Sequence, residues 1–425
     1  MGTGYTRNDG SNNIADGNVI NASDLDGEFD AVVSAFGTSG HTHDGTAAEG
    51  GPVTVLGPVQ DFVATATEIK PKTTNTLSIG TASLQFKDLY IDGTANIDNI
   101  VVDGTVNIQA THPTGTANVG FGSGTFANIE AGGILNTAMG FNALQDLTTG
   151  DNNTAIGYQA ALNATTAGGT VAIGTNAIGL GVLTGASNIA IGNGAGYDLT
   201  SGAYNTFMGY QAGYNATTVN RAIAIGTFAI GSGVLTGTDN TAIGYQAGYD
   251  LTSGTYNNFT GHQSGSNVTT GAGNVFSGYQ TGENATTASF GISIGYSAIG
   301  VGVMTGTDNT AIGRQAGNDL TSGSYNNFIG YTAGANATTA DDNVAIGRQA
   351  IGLGVLTGDD NVAIGYLAGY DLTSGSSNFF GGLRAGQTVT TGDDNVAIGQ
   401  SSLGGAALTG DRNIAIGYQA GYDLT

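Results

Sequence analysis

One phrase, Asn-(Thr/Val/Ile)-Ala-Ile-Gly-Tyr-Gln-Ala, returns from Asn118 to the end of the 425-residue chain. Its fixed glycine falls at 122, 140, 157, 174, 192, 209, 226, 244, 261, 278, 295, 313, 330, 347, 365, 382, 399 and 417, so every step is 17 or 18 residues and eighteen copies result. Helix-pair repeats need more than about 30 residues, and a short unit rich in Gly and Asn is poor in helix formers. A β-solenoid fits instead. Val/Ile-Ala-Ile alternates as a short strand does, the Gly admits a backbone conformation other residues avoid, and the leading Asn suits a turn. The coil then reads as turn, strand, turn, strand. Stacking would place Ile156, Ile191, Ile243, Ile312, Ile346, Ile364, Ile398 and Ile416 on one interior row, with the neighbouring Ala leaving room for close approach. Coils advancing by about 4.8 Å give a rod on the order of 85 Å.

A longer period overlies the first. Ile-Gly-x-Gly-Val-(Leu/Met)-Thr-Gly begins at Ile178, Ile230, Ile299 and Ile351, with a degenerate copy at Leu403. The spacings are 52, 69, 52 and 52 residues, and 69 is 52 plus one coil of 17, which points to a single inserted coil around Gly261. Thr425 stops inside a phrase, Tyr-Asp-Leu-Thr-Ser-Gly, that is complete at Tyr197 and Tyr249; the expectation is a distal tip beyond it.

Composition narrows the class. Seventy-five glycines with only 4 prolines and 40% apolar residues exclude collagen and polyproline and are too apolar for a disordered linker. A net charge of −23 repels phosphate backbones and anionic membranes, so neither nucleic acid nor a membrane surface is an expected partner. There is no Cys, hence no disulfide and no thiolate metal site. No apolar run reaches the roughly 18 residues of a membrane span, so membrane insertion is not expected.

The repeated phrase resembles the head repeat of trimeric autotransporter adhesins, the YadA-like family, over residues 115–425, with a longer coil here. That resemblance implies a left-handed parallel β-roll and a homotrimer about a common axis. Thr6-Arg7-Asn8-Asp9, Asn13-Ile14-Ala15-Asp16-Gly17, Leu25-Asp26-Gly27-Glu28-Phe29 and Gly40-His41-Thr42-His43-Asp44-Gly45 resemble the amino-terminal region of tail fibre proteins of short-tailed phages. Leu77-Ser78-Ile79-Gly80 and Phe86-Lys87-Asp88-Leu89-Tyr90-Ile91-Asp92-Gly93 are similar to a phage fibre shaft module. These likenesses imply a structural virion protein made in the host cytoplasm. Residues 1–57 would attach to phage tail proteins, 58–114 would form a shaft module and 115–425 a β-roll. The distal end would meet a host surface glycan or protein.

Ser23 with Asp26 reads as a helix start, and Leu25, Phe29, Val32, Val33 and Phe36 share one face before Gly37. About three turns cannot stand alone in water, so this face needs a partner, either its own chain or two symmetry mates as trimer contacts. His41 and His43 point to one side of an extended segment. On a threefold axis they would offer six imidazoles to an axial transition-metal ion; a polar turn is the alternative. Resemblance to phage fibre tips with axial iron implies the same metal site.

Enzymatic chemistry finds little support. Glycan cleavage needs paired carboxylates, yet Glu283 is the only Glu after the coil at Gly140, and most Asp residues recur at coil turns. His112 and His262 are isolated. The expectation is no enzyme; a polysaccharide-degrading tailspike and a bacterial-type surface adhesin are the alternatives. Tyr158, Tyr210, Tyr245, Tyr279, Tyr366 and Tyr418 follow the fixed Gly and would pack on the coil surface or stack on sugars. Thr pairs such as Thr165-Thr166 and Thr217-Thr218 raise ice binding, which would need a Thr array on every coil.

Overall fold

A computed structural model describes residues 117–425 except Ala131, together with three short strands, β1 (Val55–Leu56), β2 (Phe62–Ala64) and β3 (Ile69–Pro71). The chain divides into two compact units at Gly104/Thr105. In the first, β1, β2 and β3 form a small antiparallel sheet. The segments carrying Leu25, Phe29, Val32, Val33, Phe36, His41 and His43 lie outside the described residues.

The second unit is an all-β parallel solenoid. Eighteen three-residue strands, from β4 (Val119–Phe121) to β21 (Ile414–Ile416), each pair in parallel with the strand one coil before and one coil after. The register advances by one repeat at every step, as in Ala155 to Ala172 and Ala172 to Ala190. Among the described residues β4 and β21 end the ladder, and a Cβ on Gly417 would meet nothing within 4 Å. Each coil holds one strand rather than the expected two. Much of its remainder consists of turns that stack through backbone bonds such as Asp146 N–H to Leu162 O and Thr148 N–H to Thr165 O. The second side of the coil carries too many left-handed residues for an extended strand; only isolated bridges form there, at Ala337 with Leu356 and Val389 with Leu408.

The fixed glycine is a steric necessity. At Gly157 φ is +136° and a Cβ would lie 2.5 Å from the carbonyl oxygen of Gly174 in the next coil, so a side chain would force the stack apart. The Asn column sits inside. Asn153 Oδ1 accepts from Thr170 N–H at 2.9 Å, while its Nδ2 donates to Asn136 Oδ1 at 3.0 Å and to Ala167 O at 2.7 Å. Each side chain thereby satisfies buried backbone of the following coil, which burial would otherwise penalise. Where the Asn is lost, at Thr170, Ala222 and Gly291, the N–H still donates to the preceding Asn.

The interior row is the reverse of the expected one. Ala155, Ala190, Ala242, Ala311, Ala345, Ala363 and Ala397 are fully or almost fully buried, whereas the Ile one residue on faces outward, half-buried at Ile191 and Ile312 and up to 42% exposed at Ile364. The coil is narrow, and Asn, Leu and Ile from its other sides already occupy the centre, so the strand can send in only a small residue. Five coils send in Phe instead: Phe207, Phe259, Phe276, Phe328 and Phe380. Glycine makes the space for them. A Cβ on Gly196 would stand 2.8 Å from the Phe207 ring, and one on Gly213 would stand 2.5 Å from it. In the 18-residue coils the same place is filled by buried Ile178, Ile230, Ile299 and Ile351. The 52-residue period therefore describes how core volume is shared among three coils: one with Ile, one with Ala over Gly, one with Phe over Gly. The longer 69-residue interval contains two Phe coils in tandem, with Phe259 and Phe276 stacked at 5.4 Å, as the insertion of one coil requires.

Candidate functional site

Three surfaces of the solenoid carry functional groups. The first is the outer face of the parallel ladder. Because strand residues alternate sides, positions one and three of every strand point out. Val171, Ile189, Ile223, Val275, Ile292, Val344, Val362 and Val396 make one column and Ile156, Ile191, Ile243, Ile312, Ile346, Ile364 and Ile398 the other. Polar interruptions are Thr and Asn at position one and Thr260 and Ser277 at position three. No described residue covers these columns. Sequence reasoning located these isoleucines but assigned them to the core. The alternation was read correctly; both sides of the strand are apolar, so alternation alone could not say which side was inside.

The second surface is the aromatic column after the fixed glycine. Tyr245, His262, Tyr279 and Tyr296 stack with centroids 5.0, 4.9 and 5.1 Å apart. The stack continues as Arg314 between Tyr296 and Tyr331, at 5.7 and 5.6 Å, and Arg348 between Tyr331 and Tyr366, at 5.8 and 5.3 Å. Phe141 stacks on Tyr158, and Tyr210 meets Phe228 edge-on. The faces of His262, Tyr279, Tyr296 and Tyr331 are covered on both sides by neighbouring rings or guanidinium groups. Sugar stacking needs a free face, so these four rings serve to pack coil on coil.

The third is acidic and lies at the turns. Asp341 Oδ1 accepts from Ser324 N–H, Asp359 Oδ1 from Asp341 N–H and Asp411 Oδ1 from Asp393 N–H, at 2.7 to 2.9 Å. These carboxylates satisfy backbone of the neighbouring coil. Burial raises the Glu283 carboxyl above its ordinary range, opposed by nearby His262 and a hydrogen bond from Gln280. Burial likewise raises Asp198 and Asp371. Among the described residues no group of three or more His, Asp or Glu is placed to hold a metal ion. Threonine occupies every coil from Thr148 to Thr409, a continuity the pair motif concealed. In many coils its hydroxyl donates to the next coil, as from Thr148 to Thr165 O and Thr321 to Thr338 O, so these hydroxyls are engaged within the protein.

Comparison with family models, curated proteins and solved structures finds no match.

Proposed function

We propose that this chain is a structural fibre protein, a homotrimeric phage tail fibre. Its solenoids would pack against one another along the outer face of the ladder, with the amino-terminal region attached to the virion and the shaft reaching toward the host surface. The observation that carries the reading is the largely apolar outer face, Val/Ile interrupted by Thr and Asn at one column and mostly Ile at the other, with no described residue over it. Extended exposed apolar surface of this kind marks an interaction site. Covering the two-fifths of each Ile still open contributes about 1 kcal/mol per residue, and the repetition over many coils supplies a large total. The resemblance to trimeric adhesin heads and phage fibres supplies the number three and the polarity.

Light scattering with negative-stain imaging tests it. The expected particle is a rod with a mass near three times 42.2 kDa. The paired substitution Ile243→Asp and Ile346→Asp should leave the coils folded and reduce the mass to that of one chain. A native protein that is monomeric at micromolar concentration overturns the trimeric fibre.

A further inference from the structure

On every coil, from Ala117 to Arg412, the residue preceding the Asn position has a left-handed backbone. Eight of the eighteen coils meet this with Asn, Asp or Gly, as at Asn152 (φ +59°), Asp239 (+62°), Asp308 (+58°) and Gly273 (+70°), and others with Ser, Ala, Arg or Leu135 (+59°). Four coils place an aromatic residue there: Tyr204 (+61°), Tyr256 (+58°), Phe290 (+56°) and Tyr325 (+62°). A bulky side chain in this region is strained. Ile178, Ile230, Ile299 and Ile351 are strained in the same way, with φ of +46° to +50°, but their burial in the core offsets it. The four aromatics are not buried in the core. They are 66%, 68%, 63% and 55% exposed, and none stacks on another ring among the described residues. The left-handed turn is common to every coil, so what distinguishes these four is a large, mostly exposed ring held at a fixed place on the turn.

We propose that Tyr204, Tyr256, Phe290 and Tyr325 are a row of stacking platforms for a neutral polysaccharide lying along the solenoid. The geometry of Phe290 shows how a platform is made: its ring lies across Gly273 of the preceding coil, where a Cβ would stand 2.8 Å from Cδ1. One face rests on the turn and the other is left to solvent. Two coil steps separate Tyr256 from Phe290 and Phe290 from Tyr325, about 10 Å each, and three separate Tyr204 from Tyr256, about 14 Å. Two steps are close to a disaccharide of an extended glycan and three to a trisaccharide, so successive rings would meet every second or third sugar. Polar groups stand between the platforms. Arg221 donates to Asp239 through Nε at 2.5 Å and Nη2 at 2.7 Å in the first gap, and Asp308 occupies the last. Carboxylates accept from sugar hydroxyls, and they disfavour a polyanion, as does the net charge of −23. The glycan is therefore neutral. This names the class of host partner for the fibre and rests on that reading for its setting alone, since the row lies within one chain.

The test is an array of neutral and acidic bacterial polysaccharides probed with the full chain and with a variant carrying Tyr204→Asn, Tyr256→Asn, Phe290→Asn and Tyr325→Asn. Asn already occupies this position at Asn152, so the variant should fold with a raised thermal midpoint. The expected result is native binding to neutral glycans that falls at least tenfold in the variant, with solution mass unchanged. Three results overturn the proposal: no neutral glycan bound by the native chain, binding retained by the variant, or a variant of lower mass, which would place the rings between chains. A monomeric native chain that binds neutral glycan through these rings would uphold the row while refuting the trimer.

Discussion

The coil of Phe207 and the coil of Ile178 solve one packing problem in opposite ways. In the first, the strand contributes a large ring and the facing turns contribute Gly196 and Gly213; in the second, the strand contributes Ala172 and the turn contributes Ile. Core volume is therefore balanced between two sides of a coil and between neighbouring coils, and no single column is uniform. A consensus residue at either column would misrepresent the molecule. What is constant is the space.

Emptying that space should have the largest effect. Phe207→Ala is expected to cost about 3–5 kcal/mol, because glycine on both sides leaves nothing to collapse inward. Denaturant unfolding, with amide exchange followed at Thr206–Met208, measures it. A loss below about 1 kcal/mol would mean that the ring is not the core of its coil. Overfilling the same space is next. Gly213→Ala adds a methyl against the ring and should cost about 1–3 kcal/mol from overpacking, with roughly 1–2 more from its left-handed backbone. Adding Phe207→Leu should recover the packing share, so the double variant should be more stable than the sum of the two single losses. Strict additivity would break the claim that the two columns share one volume.

The smallest effect sharpens the contrast at the surface. The 18-residue coils bulge through Leu180 and Leu353, whose N–H groups donate to Tyr197 and Tyr370. The next residues in those receiving coils are Asp198 and Asp371, which burial holds above the ordinary carboxylate range. A raised carboxyl binds protons more readily in the folded chain. Its contribution to stability is full below the unfolded value of 3.8 and is lost as pH rises through the folded value. Asp371→Asn should therefore be slightly stabilising at neutral pH and should flatten the decline in thermal midpoint that begins above about pH 4. An unchanged slope would show that this carboxyl is not desolvated.

The solenoid was legible because glycine and asparagine report backbone need directly: each has a conformational or hydrogen-bonding reason to recur at its place in the coil. Side-chain direction was not legible. Ala155 and Ile156 are both apolar, and hydrophobic burial favours the larger residue inside until the width of the coil is known. The exchange of Ile178 for Gly196 and Gly213 beside Phe207 was the available signal, since glycine opposite an aromatic marks where a ring needs room. The row of exposed aromatics was hidden for another reason. Tyr204 and Tyr256 stand out only when their turn position is known to be left-handed, and the repeat phrase does not give φ.

The tandem coils of Phe259 and Phe276 have a consequence for how such a chain can vary. The second ring stacks on the first, and Gly282 stands to Phe276 as Gly265 stands to Phe259. Beyond the insertion every column resumes its register. Length is thus quantised: a duplication of 17 residues lengthens the solenoid by one strand spacing, about 4.8 Å, and requires no compensating change elsewhere. The solenoid is a ruler whose graduations can be added or removed singly, so its length can evolve independently of whatever lies at either end.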